Sequence, residues 1–168
     1  STEEIVELLR TMEIKNVTIT GGEPLLQENV LELLETLSQE KTLRVEIETN
    51  GSIDLTPYCK LERRPAFTMD YKMPESGMEH AMLLANMETL SDEDTVKFVV
   101  SSRSDMERAV EIMEKYRLRE RTAVYLSPVF GKIEPVEMVD FLIEKKLNDV
   151  KLQLQLHKII WDPQKRGV

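Results

Sequence analysis

The strongest constraint on the fold is an alternation of two hydrophobic periods along the chain. Segments with apolar residues at every second position, typical of strands, alternate with segments whose apolar residues recur every three or four positions, typical of helices. The strand candidates begin near Val17, Leu43, Ala66, Thr95, Thr122 and Val150. This alternation predicts an α/β fold of mostly parallel strands, arranged as a partial (β/α)6-type barrel.

The helix candidates lie between these strands. Ser1 and Glu4 have the spacing of a capping box, and they predict a first helix whose apolar stripe includes Ile5 and Leu9. The other helix candidates cover residues 26–37, 77–86, 106–117 and 136–147. No repeat or linker-like stretch divides the sequence, so we expect residues 1–168 to form a single domain.

Composition narrows the class of function. The chain has 168 residues, with 31 acidic and 22 basic side chains and a net charge of −9. That balance argues against broad electrostatic binding of nucleic acid or of an anionic membrane. The single cysteine, Cys59, excludes an internal disulfide and any cluster ligated by cysteines of these residues alone. The absence of a signal peptide and of a membrane-spanning apolar run, with this cysteine usage, predicts a cytoplasmic protein.

The second strand candidate is unusually charged. Arg44, Glu46 and Glu48 alternate with apolar residues, whereas strands buried on both faces of a parallel sheet are almost continuously apolar. The pattern predicts either that one face of this strand is solvated or that its inward residues line a polar cavity.

Polar residues gather where the strand candidates end. In parallel α/β folds, ligands bind at the carboxyl ends of the strands. The segments at these positions are Thr20–Pro24, Glu48–Gly51, Asp70–Lys72, Ser101–Ser102, Ser127–Pro128 and Gln155–Lys158. Each alone is more simply explained as a turn or a solvated side chain. Their coincidence on one rim predicts a polar binding site.

The run Gly21-Gly22-Glu23-Pro24 is more informative than a general glycine loop. Two residues without Cβ allow a ligand to approach the backbone closely, and Glu23 supplies an acceptor for an ammonium group. Pro24 is compatible with the first turn of a helix. The run lacks the glycine signatures of dinucleotide and nucleoside-triphosphate sites.

The segment Val17–Leu26 resembles the methionine-binding strand of radical S-adenosylmethionine (SAM) enzymes. Four further segments resemble the 7-carboxy-7-deazaguanine synthase family, and the resemblance extends over essentially the whole chain; they are Glu48–Ser52, Asp70–Met78, Tyr125–Val129 and Leu154–Trp161. One departure is Glu75-Ser76, where the family usually has two serines.

The resemblance implies an activity and a set of cofactors. Family members use SAM, a 4Fe–4S cluster and Mg²⁺ to convert the pterin 6-carboxy-5,6,7,8-tetrahydropterin into 7-carboxy-7-deazaguanine with loss of ammonia, a step towards queuosine and its use in tRNA modification. The resemblance also implies a homodimer and an electron donor such as flavodoxin or ferredoxin.

The family holds its cluster in a C-x3-C-x2-C loop, and this sequence has no such motif. We therefore expect the chain to be the C-terminal portion of a longer protein, without the first barrel strand and the cluster loop. We expect it to be inactive alone, because three thiolates are needed to hold the cluster.

The resemblance also assigns roles to individual residues. The residues expected to bind SAM are Gly21, Gly22, Glu23, Asp70, Tyr71 and Lys72. Those expected to bind the pterin are Thr20, Glu48, His157 on the last strand, and the terminal carboxylate of Val168. No residue is assigned to a metal or to a catalytic proton transfer.

Two alternatives remain open. The chain could belong to another radical SAM enzyme, such as a glycyl-radical-activating protein, or it could be an α/β binding domain without catalytic activity. Single residues also have simpler explanations: Glu48 could form a surface salt bridge with Arg44 or Lys72, and Trp161 could pack at a subunit contact.

Overall fold

The structure, a computed structural model, describes residues 1–165 and consists of six strands, seven α-helices and several short 3-10 turns. The strands are β1 (Asn16–Ile19), β2 (Arg44–Thr49), β3 (Ala66–Tyr71), β4 (Thr95–Val100), β5 (Ala123–Pro128) and β6 (Lys151–Leu152). The helices are α1 (Thr2–Thr11), α2 (Val30–Ser38), α3 (Thr56–Cys59), α4 (Asn86–Thr89), α5 (Arg103–Lys115), α6 (Pro135–Glu144) and α7 (His157–Ile160). Within residues 1–165, no helix is both long and apolar enough to cross a bilayer.

All six strands are parallel and form one sheet in the order in which they occur in the chain. This arrangement confirms the predicted α/β fold. The sheet is not closed, since in the described part of the chain β1 and β6 each pair on one side only. The carboxyl ends of all the strands therefore meet at one edge of an open sheet, which we call the carboxyl edge.

The two faces of the sheet differ in chemistry. On one face, which we call the apolar face, side chains such as Ile47, Phe67 and Phe98 are almost completely buried and share one core with residues of the helices. On the other, which we call the polar face, strand residues such as Glu46 and Lys97 are only half buried. Successive strand residues point to opposite faces, so the charges of β2 lie on the polar face, as the sequence predicts.

Local sequence explains where several helices begin. Ser1 caps α1, accepting a hydrogen bond from the backbone of Glu4 in the predicted capping box. Ser102 caps α5 by accepting from the backbone N–H of Asp105. The turn of residues 24–26 that precedes α2 begins with Pro24.

Three segments differ from the sequence prediction. The helix expected over residues 26–37 begins only at Val30, because Leu26 belongs to the separate 3-10 turn that starts at Pro24. Residues 77–86 are not a helix but contain a 3-10 turn at Glu79–Ala81. Gly77 has a φ of 69°, which is left-handed, so a right-handed helix cannot begin at this residue. The last strand is limited to β6, and the chain then turns into α7. His157 therefore lies in a short helix rather than on the last strand, which corrects the prediction.

A buried ion pair joins the amino ends of β3 and β4. Both guanidinium Nη atoms of Arg64 lie within 2.9 Å of the Asp94 carboxylate, and this contact raises the pKa of Arg64. Asp94 also accepts hydrogen bonds from the backbone N–H groups of Phe67 and Ser91. With Asp94 1% exposed, this network fixes the start of two central strands.

We predict that Asp94→Ala lowers the free energy of unfolding by about 3 kcal/mol, because the substitution leaves a partly buried guanidinium without its carboxylate and two backbone donors without an acceptor. Urea denaturation followed by circular dichroism measures the change. The control is Asp149→Ala, which removes a solvent-exposed carboxylate paired with Arg119 and should cost at most about 1 kcal/mol. Equal losses for the two variants would contradict the role given to Asp94.

Candidate functional site

The carboxyl edge brings the first two strand ends together through a direct hydrogen bond. The Thr20 hydroxyl donates to Glu48 Oε2 at 2.8 Å. Both side chains are exposed, and the contact leaves Oε1 of Glu48 without a protein donor among residues 1–165. Within the same part of the chain, Glu48 makes no salt bridge with Arg44 or Lys72, so the simpler explanation of its charge finds no support.

Glu23 has a different environment, because its carboxylate is buried between the β1 and β2 loops. Its residue is 7% exposed. Oε1 accepts from the backbone N–H of Leu25, Oε2 accepts from the backbone N–H of Asn50 at 2.6 Å, and the Thr49 hydroxyl lies 3.0 Å from both oxygens. A carboxylate has about four lone-pair sites, so the protein's own donors occupy most of them. Glu23 thus joins the glycine loop to the end of β2.

The glycine loop itself leaves its backbone open to a ligand. A Cβ placed on Gly21 or on Gly22 would meet no atom within 4 Å, and Gly21 has a φ of 154° that favours glycine. A cavity of about 770 Å³ runs along Thr20–Pro24 and the start of α2. The amino-acid end of SAM, which needs access to backbone donors and acceptors, fits this open loop.

A second and larger cavity lies at the ends of β3 to β6. It has a volume of about 800 Å³, and its lining includes Asp70, Lys72, Lys97, Ser101 and His157. Asp70 lies between two ammonium groups: Oδ1 is 2.9 Å from Lys97 Nζ, and Oδ2 is 3.5 Å from Lys72 Nζ. These charges face the cavity from the polar face of the sheet.

Tyr71 follows Asp70, and its side chain therefore points to the opposite, apolar face. The ring is buried against Phe98, with ring centroids 5.2 Å apart, and its hydroxyl donates to Glu79 at 2.7 Å. Burial and the Glu79 carboxylate raise the pKa of Tyr71 well above its usual range. No part of the ring is available to SAM, so the predicted contact of Tyr71 is limited to its backbone.

Glu79 fixes the loop that follows β3. Besides the Tyr71 hydroxyl, it accepts a hydrogen bond from Arg108 Nε of α5 at 2.9 Å. Burial acts to raise the Glu79 pKa, but these two hydrogen bonds hold the pKa below its usual range. The loop bordering the larger cavity is thereby tied to both β3 and α5.

Glu75, the departure from the family pattern, lies in this loop and lines the same cavity. Its Oε2 is 2.7 Å from the Ser101 hydroxyl, which is also 2.7 Å from Oδ2 of the buried Asp105. Hydrogen bonds from Ser102 and Ser101 lower the pKa of Glu75. The substituted residue thus connects the loop to the turn between β4 and α5.

The predicted site residues do not all share one cavity. Thr20, Gly21, Gly22 and Glu23 border the smaller cavity, and Asp70, Tyr71, Lys72 and His157 border the larger one. Glu48 lies between them, on the strand next to each group. Val168, the fourth predicted pterin residue, lies outside the described residues.

Sequence reasoning missed Lys97, the group in closest contact with Asp70. Lys97 lies in the middle of β4 rather than at its end, whereas the rule that ligands bind at strand ends points only to terminal residues. A signal was present, since Lys97 is a lone charge in the strand-like run Thr95–Val100. The same kind of signal marked Glu46 and Glu48 in β2.

The residues described here do not form a site for an iron–sulfur cluster. Cys59 is the single cysteine of the sequence and lies in α3, whereas a cluster of this type needs three thiolates. Residues 1–165 contain no group of three His, Cys, Asp or Glu side chains arranged to hold a metal ion. The donor set therefore fits SAM but neither the cluster nor an all-protein Mg²⁺ site.

The fold and the glycine loop define the class of protein. The family model described as the Radical SAM superfamily matches residues 1–145. Among curated proteins, the 7-carboxy-7-deazaguanine synthase of Clostridium acetobutylicum is 52% identical over 166 residues, covering 99% of this chain and 75% of that protein. The chain belongs to the 7-carboxy-7-deazaguanine synthase family of this superfamily.

More distant relatives carry the same name. The 7-carboxy-7-deazaguanine synthase of Koribacter versatilis is 34% identical, and the match covers 90% of this chain and 71% of that protein. The 7-carboxy-7-deazaguanine synthase of Chlorobaculum tepidum is 32% identical, and the match covers 99% of this chain and 74% of that protein. The chain thus spans about three quarters of the length of these relatives.

A solved structure supports the fold. The crystal structure of QueE from Escherichia coli superposes with a TM-score of 0.66 at 20% sequence identity, covering 92% of this chain and 63% of that chain. At this level of identity the likeness concerns the arrangement of strands and helices.

We predict that Glu23→Gln lowers the free energy of unfolding by about 2 kcal/mol, because hydrogen bonds to a charged acceptor are replaced by contacts with an amide that presents its own N–H donors. Chemical denaturation measures the loss. Glu28→Gln is a matched control, since Glu28 lines the same cavity but is exposed, and its effect should stay within about 0.5 kcal/mol. A Glu23 variant as stable as this control would show that the carboxylate does not hold the two loops together.

Proposed function

We propose that this chain provides the SAM-binding and pterin-binding residues of a 7-carboxy-7-deazaguanine synthase, with residues 1–168 acting as one domain. The reaction is the conversion of 6-carboxy-5,6,7,8-tetrahydropterin into 7-carboxy-7-deazaguanine with loss of ammonia. Family membership supports the class of reaction. The carboxyl edge, with polar side chains from neighbouring strands, supports the placement of both ligands.

The observation that carries the proposal is the exposed Thr20–Glu48 pair. A pterin ring presents an amino group and ring N–H groups on one edge, and these donors match a carboxylate acceptor. Thr20 donates to Oε2 of the exposed Glu48, which leaves Oε1 available to accept from a ligand. We assign this pair to recognition of the pterin.

The SAM-binding residues are proposed on both sides of this pair. The open backbone of Gly21 and Gly22 receives the amino-acid end of SAM. Glu23 holds this glycine loop in place through its hydrogen bond to the end of β2. Asp70 accepts hydrogen bonds from ribose hydroxyls, and Lys72 pairs with a carboxylate. His157 faces the larger cavity from the start of α7, where it contacts the pterin.

The chemistry of the reaction belongs to the cofactor, and the protein orients the reactants and excludes water. SAM, held by residues such as Gly22, Asp70 and Lys72, would supply the radical chemistry that acts on the substrate. Glu48 on β2 and Thr20 at the end of β1 hold the pterin next to both groups of SAM-binding residues. We infer from this order of strands that the substrate ring lies beside the cofactor.

Partners and location follow as further parts of the proposal. We assign the protein to the cytoplasm, in keeping with the unpaired Cys59, and an electron donor such as flavodoxin or ferredoxin provides the reducing equivalent. Exposed apolar side chains around α7, Ile159, Ile160 and Trp161, support a homodimer that covers them.

A turnover experiment tests the reaction. The coding sequence upstream of Ser1 is read for a C-x3-C-x2-C motif, and the protein carrying that motif is reconstituted with its cluster under anaerobic conditions. Formation of 7-carboxy-7-deazaguanine from the carboxylated tetrahydropterin is the expected result. Cleavage of SAM without conversion of the pterin would retain the superfamily and reject the reaction. Absence of the motif would instead favour a binding domain without catalysis.

We predict that Glu48→Gln raises the dissociation constant of the carboxylated tetrahydropterin about tenfold and that of SAM less than about threefold, since it removes a charge from the pterin contact alone. Isothermal titration calorimetry measures both constants. Glu46→Gln is the matched control: Glu46 lies on the same strand and face, but its carboxylate accepts from Thr68 at 2.6 Å. A larger loss for SAM than for the pterin would reverse the assignment of Glu48.

A further inference from the structure

Lys97 is a charged residue in the interior of a central strand. Its neighbours in β4, Val96 and Phe98, are fully buried on the apolar face, and the alternation of the strand sends Lys97 to the polar face. There its side chain is 24% exposed and borders the larger cavity. Partial burial of the Lys97 ammonium group costs free energy unless an oppositely charged group or a hydrogen-bond acceptor compensates. The groups around Lys97 therefore indicate its role.

Asp70 is the partner of Lys97, and it is shared with Lys72. Asp70 and Lys97 are paired in register across β3 and β4, and their charged atoms are 2.9 Å apart. Lys72 Nζ lies 3.5 Å from the other carboxylate oxygen. Two ammonium groups thus flank one carboxylate, with the shorter contact made by Lys97.

The other carboxylates of the cavity lining, Glu75 and Asp105, contact a hydroxyl rather than these two lysines. Both contact the Ser101 hydroxyl, and in the described part of the chain neither lies within salt-bridge distance of Lys72 or Lys97. The group of Asp70, Lys72 and Lys97, which we call the charge triad, therefore has a net charge of +1. In a protein with a net charge of −9, a positive centre in a cavity is suited to an anion.

We propose that Lys97 is a positioning residue that neutralises Asp70 and thereby leaves Lys72 free to pair with a ligand carboxylate in the larger cavity. Without Lys97, Asp70 pairs with Lys72 and the local charge falls to zero. This inference rests on the proposed function, which offers two carboxylates, that of the methionyl part of SAM and that of the pterin. Both sources share the chemistry that the charge triad recognises.

Binding measurements separate this role from a structural one. Dissociation constants are determined for SAM and for 5′-methylthioadenosine, which lacks the amino acid, and for the tetrahydropterin with and without its 6-carboxylate. Lys97→Met should raise the constant of one carboxylated ligand about tenfold and change its carboxylate-free counterpart less than about twofold. The ligand pair that responds identifies the source of the carboxylate.

Rescue provides the second readout. Lys97→Arg retains the charge and should stay within about threefold of the unsubstituted chain. The double substitution Lys97→Met with Asp70→Asn restores a local charge of +1 through Lys72, and it should recover most of the lost affinity; the amide oxygen of Asn still accepts a hydrogen bond from a ribose hydroxyl. Lys151→Met, on the same face but beside Tyr125, is the control and should change none of the constants.

The outcomes distinguish the inference from the proposed function. Equal losses for carboxylated and carboxylate-free ligands, or no recovery in the double variant, would overturn the role of Lys97 and leave the proposed function in place. An unsubstituted chain that binds neither SAM nor the carboxylated pterin would overturn the proposed function and the inference together. Selective loss with recovery in the double variant supports both.

Discussion

The difference between the two faces of the parallel sheet is the constraint on which the rest of the structure depends. Parallel sheets are usually covered by helices on both faces, and their strands are then apolar throughout. Here one face packs against the helices through residues such as Phe67 and Phe98, while the other bears Glu46, Asp70 and Lys97. Because strand residues alternate between faces, each strand contributes to the core and to the polar face together. The charges near the site are therefore fixed by the same backbone that holds the core.

The loops at the carboxyl edge are held by carboxylates as well as by apolar packing; Glu23 is buried and Glu79 is partly buried. Glu23 connects the glycine loop with the end of β2, and Glu79 connects the loop after β3 with α5. Asn86 acts similarly: its side-chain amide donates to the backbone carbonyls of Gly51 and Ile53. Glu23 and Asn86 bond to the backbone of neighbouring loops, and Glu79 bonds to side chains of β3 and α5, so the loops around a ligand site are held in a fixed position. The loops can thus present open glycines and exposed acceptors without losing order.

Much of the fold could be predicted from hydrophobic periodicity, since β3 and β4 have the predicted bounds and α1 has the predicted cap. The polar face could also be predicted, from the alternating charges of β2. The segment from residue 77 to 86 could not, because its apolar residues mimic a helical period while Gly77 adopts a left-handed conformation. The apolar alternation continues past β6 and predicts that His157 lies on the last strand, although pairing with β5 ends at Leu152 and the last hydrogen bond to β5 comes from the Gln153 N–H. The length of an edge strand depends on its partner, which periodicity does not describe.

The direction of site side chains was predictable in part. Asp70 and Tyr71 are adjacent in one strand, so only one of them can face the ligand, and the apolar character of Phe67 and Met69 assigns Tyr71 to the core. The contacts of Glu23 and of Lys97 depend instead on which residues of neighbouring strands lie opposite them, and a single sequence does not give that register. The contacts of Glu23 and Lys97 form only when segments distant in the sequence come together in the fold.

Register joins the stability of this fold to its site. In β3 and β4, the pairing that aligns Met69 with Val96 on the apolar face also aligns Asp70 with Lys97 on the polar face. A shift of one residue would exchange the faces of a strand, burying its charges and exposing its core residues. The cost of burying unpaired charges is several kcal/mol, so the register of lowest free energy is also the one that assembles the charge triad. A substitution on the polar face that keeps the alternation of polar and apolar residues leaves the packing of the apolar face intact. Such a substitution can change ligand binding with little loss of folding stability.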